Sequence, residues 1–215
     1  MDSSKLRVLW RSPDATSLET LMIARRLLLI LIWLSLVPCG VHAQQQRMSI
    51  DPAKSEVHFK LDDPLHSVEG TFRVQQGSVM FDAQGGRISG LITVDAGSGD
   101  SGNGSRDKKM KNDELKAPTF STVTFAPKSY SGTLALTGDS TITVDGAITL
   151  LGTPHDISVP MQVHLDGAQC KATGSFVIPY VKWGMKDPSN FVLRVGKEVT
   201  VNLVLVGSIA GGKFD

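Results

Sequence analysis

The sequence lacks the features that would announce most functional classes. Its longest apolar run, Leu27 to Val37, is well short of the ~20 residues a membrane-spanning helix needs. Basic and acidic residues nearly cancel, 22 against 21, so no basic surplus exists to attract nucleic acid or an anionic membrane surface. No H-E-x-x-H occurs, and no histidine pair has short zinc-ligand spacing. No G-x-S-x-G elbow supports a hydrolase triad. Gly97 to Gly102 does spell G-x-G-x-x-G, but the charged segment after it could not pack on a sheet and no βαβ rhythm follows. Nor do Asp100, Gly102 and Gly104 reproduce the oxygen-ligand spacing of a calcium loop. These residues predict no catalytic group, no metal and no cofactor.

What is present begins with a leader. Arg25-Arg26, the short apolar run and Val41-His42-Ala43 have the three parts of a secretory signal, with cleavage after Ala43. Residues 1–43 are therefore expected to be a signal peptide, with Met22 as an alternative start, and 44–215 the exported domain. Leu36-Val37-Pro38-Cys39 outlines a rival lipoprotein site, which Pro38 fits poorly. Of the two cysteines only Cys170 lies beyond the leader, so the exported chain forms no internal disulfide. It keeps 17 Lys/Arg and 18 Asp/Glu after the five and three in residues 1–43 are subtracted.

The rest of the chain alternates with period two between turn residues. Val57, Phe59 and Leu61 share one face, and Val68, Gly70, Phe72 and Val74 the next. Gln75-Gln76-Gly77 reads as a turn into Val79 and Phe81. Val123 and Phe125 form a strand that Pro127 ends, and Tyr130 to Thr137 reads as another. Ile142 to Leu150, Ile157 to Leu165, Ala172 to Ile178 and Val199 to Leu205 alternate cleanly. Eight to ten strands is about the number of a small barrel able to hold one ligand, and closure removes the exposed edges of an all-β chain. Gly70, Gly90, Gly146 and Gly174 mark places where the sheet bends.

One segment, Arg106 to Lys116, reads as helix. Met110 and Leu115 are its only long apolar residues, so it is expected to lie across a barrel end with those two against the opening. The aromatic residues are spread over most of the strands. They either fill a solid core or surround an apolar cavity, and residue type alone does not separate the two.

Four stretches, in order, carry a family resemblance. They are Ile50-Asp51-Pro52-Ala53-Lys54-Ser55-Glu56-Val57-His58-Phe59 followed by His66 to Phe72, then Ser105-Arg106-Asp107-Lys108-Lys109-Met110 with Pro118-Thr119-Phe120, then Val144 to Thr153. Over about residues 49–208 the chain resembles the YceI-like family. The resemblance implies an all-β fold, a single antiparallel lipocalin-like β-barrel with one short helix. It implies a non-catalytic periplasmic or secreted carrier, with a polyisoprenoid or other long amphiphilic lipid inside. Arg106, beside Asp107, is carried over as a mouth residue that either meets a ligand head group or pairs with Asp107. The expected apolar lining is Phe72, Met110, Leu115, Phe120, Phe125, Phe176 and Trp183. Val181-Lys182-Trp183-Gly184-Met185 replaces the family's usual segment before the last strand, with Lys182 as a substitute positive charge. The rival readings are an envelope stress-response or structural protein with a solid barrel, and an enzyme acting on a lipid-like substrate.

Overall fold

Alternation of apolar and polar side chains closes this chain into a barrel. The computed structural model describes residues 45–62, 67–189 and 195–210. The leader with Met22 and Cys39, His66 and the last five residues lie outside the described residues. Among the described residues nine strands form one sheet: β1 (Gln45–Ile50), β2 (Glu56–Asp62), β3 (Ser67–Asp82), β4 (Ile88–Asp95), β5 (Thr122–Gly132), β6 (Gly138–Leu150), β7 (Thr153–Asp166), β8 (Gln169–Ile178) and β9 (Val199–Ala210). All pairings are antiparallel, and β3 to β9 follow one another in sequence order around the wall.

The nine strands fill eight positions, because β1 and β2 share one. β1 pairs with the far half of β3 and the end of β9, and β2 with the near half of β3 and the start of β9. Between them Asp51 to Ser55 leaves the ladder. Ser55 repairs the gap: its Oγ accepts from Val206 N at 3.0 Å and donates to Val206 O at 3.3 Å. The side chain thus gives Val206 N a partner, while Val206 O also accepts from Asp51 N at 2.8 Å.

Two expected breaks are continuous strand. Gln75-Gln76-Gly77 is no turn; β3 runs unbroken, with a bulge between Val74 and Gln76. Both glutamines are exposed, and the inward phase passes from Phe72 and Val74 to Val79 and Phe81. Pro127 does not end its strand either. It sits at a bulge opposite Gly146, where a proline's missing N–H costs the ladder little. Gly90 is the position that requires its glycine. Its φ of +147° is closed to most side chains, and a Cβ there would strike the Ser78 carbonyl.

The connections β4–β5, β6–β7 and β8–β9 lie at one rim, and β3–β4, β5–β6 and β7–β8 at the other. The β4–β5 connection carries the helix, shorter than expected: α1 (Gly104–Lys109) passes into a π-helical turn, Met110–Glu114. Asn103 caps α1 by accepting from Arg106 N at 3.1 Å. Lys116, with φ +49°, ends the helical path. A main core of residues such as Val79, Val144, Val159 and Leu205 runs down the barrel, and a second cluster of Leu115, Ile148 and Leu150 sits beneath the helix.

Candidate ligand-binding site

The inward faces of the strands do not fill the barrel. They enclose a cavity of about 840 Å³, in the upper part of the ~300–1,000 Å³ range of small-molecule sites. Its lining runs the length of the wall, from Ile142 to Leu150 on β6 and from Val199 to Leu205 on β9. At ~3.3 Å per residue, the β6 stretch alone is about 26 Å long. The far end is packed by Phe81 and Leu134, both buried. There the Tyr130 hydroxyl donates to the Asp82 carbonyl at 2.5 Å.

Polar lining gathers under the helix, where Ser101, Ser105, Arg106, Lys109 and Glu114 edge the cavity. The π-helical turn, a feature found often at functional sites, explains the arrangement. Leu115 N donates to Met110 O at 2.9 Å, a span of five residues. That wider turn puts Met110, Glu114 and Leu115 together against the lumen. Gly99 makes the fit possible, since a Cβ there would collide with Met110 and the Phe72 ring.

Arg106 and Asp107 do not pair directly; both hold Ser101. Arg106 Nε donates to Ser101 Oγ at 2.7 Å and its terminal nitrogen to Ser101 O at 2.8 Å. Asp107 Oδ1 accepts from Ser101 N at 2.9 Å and from Ser101 Oγ at 2.5 Å. The Ser101 side-chain hydrogen bond leads in holding the Asp107 carboxyl below the usual aspartate value, against the effect of burial. The clasp fixes the loop before α1 and commits two of the Arg106 donors to the protein itself.

Glu114 is different. It is 8% exposed, and neither carboxylate oxygen has a hydrogen-bond partner among the described residues. Burial pushes its pKa up, while the charges of Lys186 and Lys109 pull the other way. Across from it Tyr180, also on the wall, donates to Gly196 O at 2.6 Å, and burial raises its hydroxyl to about 12. Cys170 lines the far half of the cavity; burial pushes its thiol up to about 11. A thiol held neutral is a packing group, not a nucleophile.

Of the residues singled out from sequence, Phe72, Arg106, Met110, Leu115, Phe125 and Phe176 line the cavity. Phe120 and Trp183 do not. Phe120 lies half-buried against Gly152, outside the wall. Trp183 stacks on His155, ring centroids 4.2 Å apart and nearly parallel. The reason is a tight turn in the β8–β9 connection, where Met185 N donates to Tyr180 O at 3.0 Å. It directs Tyr180 and Met185 to the lumen and Trp183 away. Lys182 is exposed and off the wall; among the described residues Arg106 and Lys109 edge the cavity, and Lys186 acts on Glu114 from nearby. Sequence reasoning missed Tyr180, Met185 and Glu114. Tyr180 had a signal, since it continues the inward phase of Gly174, Phe176 and Ile178. Glu114 had only its four-residue spacing from Met110.

An up-and-down antiparallel barrel enclosing one apolar, ligand-sized cavity with a polar mouth defines the class of lipocalin-like binding folds. Within that class the chain belongs to the family of YceI-like domains, whose model matches residues 48–207. Among solved structures it is similar to Burkholderia cenocepacia BcnA, at 24% identity and a TM-score of 0.62, over 73% of this chain and 98% of that one. It is also similar to a polyisoprenoid binding domain from Saccharophagus degradans implicated in plant cell wall breakdown, at 20% identity and a TM-score of 0.60, over 75% and 97%. A Campylobacter jejuni YCEI protein matches at 16% identity and a TM-score of 0.56, over 67% and 86%. Comparison with curated protein sequences gives no match.

Proposed function

We propose that the protein is a non-catalytic carrier of a long isoprenoid-type lipid, with the tail inside the barrel and the head under the helix. The observation that carries this reading is the distribution of polarity along one cavity, apolar down its length and charged at one rim. Each buried methylene contributes about 0.8 kcal/mol. Association costs roughly 4–15 kcal/mol, so a tail burying about 20 methylenes exceeds even the upper figure. Short lipids would not. The polyisoprenoid binding domain among its structural neighbours supports the choice of tail.

A periplasmic or secreted site of action rests on the expected leader at residues 1–43. Fractionation of the native host tests it, and retention of the protein in the cytoplasm would remove it. For the ligand, organic extraction of protein purified from that host should release a long-chain lipid detectable by mass spectrometry. Finding no lipid, together with no uptake of added polyprenyl lipids, would leave the solid structural barrel as the better reading.

A further inference from the structure

Glu114 costs the fold stability without any visible return. A buried carboxyl lacking hydrogen bonds is among the least favourable groups a protein can enclose, and such groups in native structures call for a functional account. This one lies on the wall of the cavity at its mouth, and both oxygens are unpartnered among the described residues. The described groups around it come from two elements. Lys109 and Asp113 come from its own helical segment, and Lys186, Asp187 and Tyr180 from the β8–β9 connection.

We propose that Glu114 anchors the head of the bound amphiphile, and that this head is an uncharged oxygen group, a hydroxyl or a carbonyl. The proposal rests on the carrier reading and adds to it the chemistry of recognition. Lys109, Lys186 and Arg106 make the rim unfavourable for a cationic head. A phosphate head would be repelled whenever the Glu114 carboxyl ionises. It would also find the Arg106 Nε and one terminal nitrogen already committed to Ser101. An uncharged oxygen meets neither obstacle. It accepts a hydrogen bond from the protonated carboxyl, and a hydroxyl also donates to the second oxygen. Burial acts in the direction that keeps this proton in place. Binding should therefore weaken as pH rises and Glu114 ionises.

The test uses delipidated protein and three probes with related branched tails: geranylgeraniol, geranylgeranyl phosphate and the hydrocarbon phytane. Wild type should bind the alcohol more tightly than the other two, with affinity falling as pH rises. Glu114→Leu should weaken geranylgeraniol about tenfold, the scale of one buried hydrogen bond, and leave phytane unchanged. Glu114→Gln, which still donates, should retain the alcohol and lose the pH dependence. Equal losses for alcohol and hydrocarbon, a preference for the phosphate, or a pH profile unchanged in Glu114→Gln would overturn the anchor. Wild-type protein that binds phytane but does not prefer the alcohol would overturn the anchor and leave the carrier standing. Binding of none of the three would overturn the carrier itself.

Discussion

Single side chains in this barrel earn their places in different ways, and the differences are measurable. Tyr130 serves the far end, where its hydroxyl donates to the Asp82 carbonyl. That carbonyl also accepts from Gly85 N at 3.3 Å, so removing the hydroxyl does not orphan it. Tyr130→Phe is expected to cost about 1 kcal/mol, the net value of one hydrogen bond rather than a full desolvation penalty, read by urea denaturation. Glu114 acts in the opposite sense. Its folded pKa lies above the ordinary 4.5 because of burial, so the folded state holds more protons than the unfolded chain. Stability must then fall as pH rises through that region, and the loss persists at higher pH. Glu114→Gln should melt at a higher temperature than wild type near pH 8, and the advantage should shrink towards pH 4. An advantage that is the same at both ends of the scan would rule out ionisation as its source.

Among the elements, the helical segment between β4 and β5 carries the most consequence for its size. Its Leu115 is 7% exposed and joins Ile148 and Leu150 beneath the rim. Leu115→Ala should cost roughly 2–5 kcal/mol by the usual cavity argument. Bound lipid should also dissociate faster, which stopped-flow fluorescence with a labelled tail would record. Most of the strands from β2 on are legible in the sequence because burial enforces period two along the wall, whereas β1 carried no such reading. The bulge in β3 was legible too, but was misread. Val79 lies five positions after Val74, an odd offset, so two inward runs on one strand require an extra residue between them. The glutamines and glycine looked like a turn only because turn residues and bulge residues overlap. Loop positions follow no period, and there the reading weakened. Trp183 is among the expected lining, whereas a local turn sends Tyr180 and Met185 inward instead. Glu114 was illegible because a glutamate in a charged helix is ordinarily solvated, and only the π-helical turn rotates it into the lumen.

Across the whole molecule, the resemblance and the alternation pointed to the same barrel, and the family match agrees with both. Hollowness is the property that sequence could not supply, because Val159 or Leu203 has the same inward phase in a filled barrel and an empty one. It is also the property most open to engineering. Val159 is 3% exposed and lies on the cavity wall along β7. Val159→Trp should block the passage partway and leave room only for shorter tails. Native mass spectrometry of the lipids retained should then show a shift to lower mass, with the folded state intact. A variant that keeps the same lipids would mean that tails do not reach that depth.

The shared position of β1 and β2 has one more consequence. Arg47 on β1 faces Ala210 on β9, at the rim away from the helix. The first and last strands are thus side by side, like two ends of a cord tied off at the base of a vase. A dye or a resin attached beside Arg47 or Ala210 becomes a handle on the base. An immobilised protein would present its opening outward, ready for direct sampling of lipids from solution.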